Sequence, residues 1–141
     1  MQLNFRQVGG LAYTTIADDT QGDLIDLKAP TWSRQRYAPA GYGSVGKAEI
    51  DMGNMEWVWT IPVRKFYTSG PLARQAFATL GTLLAVGNMD LQVFDISSMD
   101  ATYMPNCVLE TMTPDSGDGV KGTAIYFVLK FVGSSYTTVA P

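Results

Sequence analysis

Residues 120–132 read Val-Lys-Gly-Thr-Ala-Ile-Tyr-Phe-Val-Leu-Lys-Phe-Val, and this run limits the fold more than any other. In an extended strand successive side chains point to opposite faces. Ile125, Phe127, Leu129 and Phe131 therefore share one face, and Tyr126, Val128, Lys130 and Val132 share the other. Both faces are mostly apolar, and a strand of that kind is normally covered on both. One helix can cover one side; a second sheet or a partner chain must cover the other.

Most of the remaining sequence is also strand-like. The first 16 residues read as a hairpin, with Leu3, Phe5 and Gln7 alternating against Asn4 and Arg6 before a Gly9-Gly10 turn. Shorter candidates follow at 24–27, 90–96 and 106–112. The strongest runs over 56–67, where Trp57, Trp59, Ile61 and Val63 face one way and Val58, Thr60, Pro62 and Arg64 the other. Pro62 lacks a ladder donor, which places it on a sheet edge or at a bulge. A single helix is predicted over 71–86. Ser69-Gly70-Pro71 provides its start, and Gly87 suits a left-handed position after its end. Leu72, Ala73, Ala76, Phe77, Leu80, Leu83 and Leu84 form its apolar side. Arg74 is its only charge, so the outer side either meets a neighbouring subunit or is a merely small-residue exposed face.

These patterns predict one domain over 1–141. It is mostly β (α+β): an antiparallel β-sandwich or half-barrel with one flanking helix. Trp57, Trp59, Ile61, Phe77, Leu80, Leu84, Ile125, Phe127 and Leu129 are expected to be buried together. Residues 34–46 read as an extended, irregular arm rich in Gly and small residues, and 134–141 as a C-terminal tail.

Composition narrows the function. Charged residues make up 16% of the chain and hydrophobic residues 46%, against roughly 25% charged in an ordinary soluble domain. Either partners cover part of the surface, or the surface is neutral and rich in Thr, Ser and Gly. Net charge is −3, which disfavours an electrostatic grip on nucleic acid. With no histidine in the chain, Ser-His-Asp and Cys-His arrangements and His-based zinc sites are excluded. Cys107, the single cysteine, reads as a small buried thiol. No apolar stretch approaches the ~18 residues of a membrane span, and no apolar segment of a signal peptide follows Met1.

Candidate chemistry is sparse. Asp115 and Asp118 lie among glycines but lack the order of a calcium loop, so a hairpin turn is expected. Asp18, Asp19 and Asp23 read as a solvated loop. No cofactor, metal or catalytic residue is expected. Arg34, Arg36, Tyr37 and Tyr42 suit anchors that dock the arm on an adjacent subunit; a stacking patch for single-stranded nucleic acid is the weaker alternative. Arg74 on the helix, with Tyr126 and Val128 on the last strand, completes the expected subunit interface.

The order of the pieces is an N-terminal hairpin with a Gly-Gly turn, a Gly-rich arm, and a Trp-rich strand running straight into Ser69-Gly70-Pro71 and a helix. Leu91-Gln92-Val93-Phe94, Val108-Leu109-Glu110-Thr111-Met112 and Ala124-Ile125-Tyr126-Phe127-Val128-Leu129-Lys130-Phe131 follow. Over nearly the whole chain this order resembles the tail-tube fold of long-tailed bacteriophages, shared by major tail proteins and the N-terminal domain of distal tail proteins. The resemblance implies a virion structural protein, assembled in the host cytoplasm, whose sixfold homo-oligomeric rings stack with neighbouring tail proteins. DNA would pass through the lumen without specific binding. Distal tail proteins usually carry a second domain, so a tube, terminator or tail-tip role is equally open. A head-decoration or head-completion protein, and a carbohydrate-binding β-sandwich using Trp57, Trp59 or Tyr42, are the alternatives.

Overall fold

A computed structural model describes residues 1–37, 50–114 and 120–141. Its strands are β1 (Gln2–Gln7), β2 (Thr14–Asp18), β3 (Leu24–Ile25), β4 (Thr31–Tyr37), β5 (Ile50–Phe66), β6 (Met89–Asp95), β7 (Asp100–Pro114), β8 (Val120–Lys121) and β9 (Ala124–Gly133). The helix α1 spans Gly70–Leu84. The strands pair in the order β2-β1-β6-β7-β9-β5-β3, with β4 also on β5 and β8 on β9. Every pairing is antiparallel. The mostly-β, single-helix architecture expected from the sequence is what the chain adopts.

The sheet curls because β7 serves two neighbours. Its first half pairs with β6 and its second half with β9. Between the halves, Pro105 and Asn106 together oppose Asp90, forming a bulge in which Asn106 takes φ 50°. A bulge bends its strand and increases the local twist. Asp90 locks this one: its carboxylate accepts from the Asn106 N–H at 3.0 Å and from Arg6 Nε at 3.0 Å. Gly133 passes just beneath, where a Cβ would stand 3.0 Å from Met104 Cγ and 3.1 Å from Cys107 Cβ. The strand-like run foreseen at 106–112 therefore begins at Asp100. The bulge shifts side-chain parity and hides the earlier half from a period-two reading.

Curling brings the ends of the sheet together. Lys65 Nζ on β5 donates to the Ile16 carbonyl on β2 at 2.6 Å and pairs with Asp23 at 3.4 Å. The Asp23 carboxylate also accepts from the Asp18 N–H at 3.0 Å. The acidic loop is thus not simply solvated. Asp23 is buried and closes the seam, Asp18 accepts from the Thr20 N–H and hydroxyl and from Gln2 Nε2, and Asp19 holds the N-terminal amine. Hydrogen bonds from Thr20 and then Gln2 hold the Asp18 carboxyl below its usual pKa.

Inside the curl, Trp59, Ile61, Leu84, Ile125, Phe127, Leu129 and Phe131 join Leu3, Leu91 and Met104 in one core. Trp57, Phe77 and Leu80 pack against that core but are only partly buried. Helix α1 lies over the sheet through Ala73, Leu84 and an edge-to-face contact of Phe77 with Phe127, centroids 6.0 Å apart. Ser69 caps its first turn by accepting from the Leu72 N–H, as expected, and the helix stops at Leu84, ahead of Gly87 (φ 86°). Pro62 sits on β5 opposite Val128, with its carbonyl on the other side accepting from the Asp26 N–H. Its missing donor points to that same side, where Asp26 stands opposite just past the end of β3, so this pair keeps one of the two bonds that an ordinary residue would allow. No helix among the described residues is long and apolar enough to cross a membrane.

Two expected segments differ. Arg34, Arg36 and Tyr37 belong to strand β4, paired with Met55, Asp51 and Ile50 across a register shift between Arg34 and Arg36, because β5 extends far enough to template them. Residues 38–46 of the foreseen arm lie outside the described residues. Residues 134–141 are docked, not a free tail. Tyr103 and Thr137 exchange N–H···O bonds of 2.7 and 2.9 Å, Arg6 Nη2 donates to the Pro141 carbonyl, and Tyr136 packs on the rings of Trp57 and Trp59.

Burial pushes the Cys107 thiol up to about 12, so almost none is thiolate near neutrality. Native protein is expected to resist an aromatic disulfide reagent and to release its single thiol only on denaturation. Fast labelling of the native chain would place Cys107 outside the core.

Candidate assembly surface

The apolar outer side of β9 does not stand alone. Register places Val58, Thr60, Pro62, Arg64 and Phe66 of β5 on the same outward face as Val132, Lys130, Val128 and Tyr126. Across β9, Val108, Thr111 and Thr113 of β7 continue it. The outer side chains of β9 are half-buried by these neighbours, while Phe66 and Val108 are exposed. The foreseen pair Tyr126 and Val128 is therefore brought together at the centre of this face.

Its charges are few and distinctive. Lys130 is paired with Glu110, the extra residue of a second bulge in β7, at 2.9 Å. Arg64 is not paired this way among the described residues. Its guanidinium carbon lies 4.0 Å from the Tyr126 ring centroid and 4.6 Å from that of Phe66. Such stacking over aromatic faces is attractive and keeps the guanidinium plane fixed. Arg64 Nε is buried with no hydrogen-bond acceptor. Beside it, Leu24, Asp26, Pro62 and Tyr126 outline a shallow cavity of about 220 Å³. Asp26 makes its own ion pair with Lys28, at 3.8 Å.

The other foreseen interface residues lie elsewhere. Arg74 is exposed on α1. Arg34, Arg36 and Tyr37 sit on the β4–β5 hairpin, whose β5 part pairs with β9 only from Trp57 onward. Tyr42 lies outside the described residues, as do Asp115 and Asp118. A further groove of about 400 Å³ runs between α1 and the seam, lined by Ile16, Lys65, Tyr67, Leu72, Thr79 and Leu83. Leu72 and Leu83, placed on the apolar side of the helix, are 48% and 41% exposed along it, because α1 rests on the sheet by a narrower stripe than that side offers.

Arg64, Phe66 and the Asp90 lock did not stand out in the sequence. The signal for Arg64 was its strand parity with Val58 and Pro62, which puts a cation on a largely apolar face. Trp59 is 1% exposed and donates Nε1–H to the Lys28 carbonyl, so it offers no face to a sugar. Among the described residues no three acidic or cysteine side chains gather to hold a metal ion.

Comparison with models of known protein families gives no match, and comparison with curated protein sequences gives none either.

Proposed function

We infer that this chain is a non-enzymatic structural subunit that closes into homo-oligomeric rings, sixfold, in the tail of a bacteriophage. It would serve as a tube, distal-tail or terminator ring, stacked with neighbouring tail proteins. The observation that carries this reading is the outward face of β7, β9 and β5, where Val58, Pro62, Phe66, Val108, Tyr126, Val128 and Val132 are interspersed with Thr60, Arg64, Thr111 and Lys130 and several of them stay exposed among the described residues. Faces of this kind mark interaction sites, because water contact with them is unfavourable. Two further features agree. β4 pairs only with β5 among the described residues, leaving its far edge free, and a free strand edge must be paired or shielded to avoid uncontrolled association. A closed ring buries faces and pairs edges at once. A net charge of −3 suits a lumen along which DNA slides without adhering.

Light scattering coupled to size exclusion, followed by negative-stain imaging, tests this directly. Annular particles whose mass is a fixed multiple of the chain are expected. Monomers at every concentration would overturn the reading.

A further inference from the structure

We infer that residues 134–141 form a displaceable guard over one edge of β7, holding it closed against strand pairing with a second copy of this chain. Such a guard goes beyond the ring reading and stands without it.

Past Gly133 the chain leaves β5 but keeps its place beside β7. Val132 lies opposite Val108, and the same number of residues further along each segment Thr137 lies opposite Tyr103. The segment is therefore β9 resumed after a break at 134–136. Tyr103 gives and receives main-chain bonds with Thr137, at 2.7 and 2.9 Å. In an antiparallel ladder the two groups of a residue point to one side, and the side alternates along the strand. Those of Tyr103 and Ala101 thus face away from β6, and those of Thr102 face towards it, opposite Val93. Without the segment, the first part of β7 would present a bare edge, a template for pairing with another chain.

The guard is held lightly. Tyr136 packs on Trp57 and Trp59, but Thr138, Val139, Ala140 and Pro141 are all exposed, Val139 at 71%. The Val139 N–H turns back to the Thr137 hydroxyl, and the contact with the Tyr103 main chain is a single bridge. Beyond it, a cavity of about 680 Å³ lies between Thr138 and Ala140 on one side and Phe94, Asp100 and Thr102 on the other. Arg6 Nη2, donating to the Pro141 carbonyl, ties down the end. A segment with so few buried contacts opens locally without unfolding the sheet beneath it.

Among the described residues β4 keeps a free edge, whereas the first part of β7 is covered on both sides. A subunit with both edges bare could add neighbours in more than one way. Uncontrolled edge pairing of that kind builds open aggregates, not closed rings.

Hydrogen exchange in the native chain tests whether the guard opens. Neighbouring amides of β7 face different partners, so the Tyr103 amide is expected to exchange at least about tenfold faster than that of Thr102. Equal protection of the two would show the segment to be a fixed part of the sheet and overturn the guard. Light scattering tests what it prevents. A chain lacking 137–141 and the variant Thr137→Pro, which removes the donor to the Tyr103 carbonyl, are expected to form larger species than the native chain at equal concentration. Thr137→Ala keeps both main-chain bonds and is expected to match the native chain; circular dichroism checks that each variant is folded. Native-like mass in both edge variants would overturn the guard, and so would equal growth of Thr137→Ala. A native chain that stays monomeric would remove the rings, yet association only after loss of the segment would still support the guard.

Discussion

Replacing Trp59 by Ala is expected to lower the free energy of unfolding by about 3–5 kcal/mol, the range for truncating a fully buried large aromatic. Trp59 is 1% exposed, packs edge-on to Tyr136 at 5.4 Å between centroids, and donates Nε1–H to the Lys28 carbonyl at 2.7 Å. The truncation therefore opens a cavity in the middle of the curl and strands a carbonyl at the chain crossing before β4. Such a loss is a large share of the ~5–15 kcal/mol that holds an ordinary domain together. Trp32 provides the internal control. It belongs to the same aromatic row, 6.4 Å from Trp57, but is half exposed. Trp32→Ala is expected to cost about 1 kcal/mol or less. Urea titrations followed by far-ultraviolet circular dichroism compare the two without relying on tryptophan fluorescence. Similar losses in both variants would mean the core is not centred on Trp59.

Asp90→Ala should cost nearly as much, about 3–5 kcal/mol, the range for removing one partner of a buried ion pair. The Asp90 side chain is 6% exposed and that of Arg6 18%, so water cannot readily replace the lost carboxylate. The change leaves the Arg6 charge without its partner and the Asn106 N–H without its acceptor. Because that N–H belongs to the bulge at which β7 passes from β6 to β9, loosening is expected to spread along both pairings. Asp90→Asn retains an acceptor for Asn106 while losing the charge, and it is expected to fall between Ala and native. Hydrogen exchange at Tyr103, Met104 and Cys107 reads the local effect separately from global unfolding. Unchanged protection there in Asp90→Ala would show that the bulge does not depend on the carboxylate.

Much of the architecture was legible without coordinates. Alternation in β5 and β9 identified the buried faces, and Trp59, Ile61, Phe127 and Leu129 lie in the core as their parity requires. Local chemistry was equally informative at Ser69, which caps α1, but less so at Pro62, expected at a sheet edge or a bulge and found on β5 between β9 and the end of β3. The candidate surface was half legible: parity put Tyr126 and Val128 on an outward apolar face, but gave no sign that Arg64 would stack there. Arg34, Arg36 and Tyr37 read as irregular because glycines follow them, yet β5 is long enough to hold all three in a strand.

Sequence alone determined the inward faces of β5 and β9 and where the helix begins, since both follow from the spacing and identity of neighbours along the chain. Tertiary structure alone decided how the sheet curls and closes. Asp90 must meet Arg6 and Asn106, and Lys65 must meet Asp23 and the Ile16 carbonyl, between residues far apart in the chain. A bulge also resets the period-two pattern at the point where β7 changes partners. Periodicity records burial one strand at a time, whereas pairing partners, bulges and buried charges are settled by the free energy of the assembled sheet.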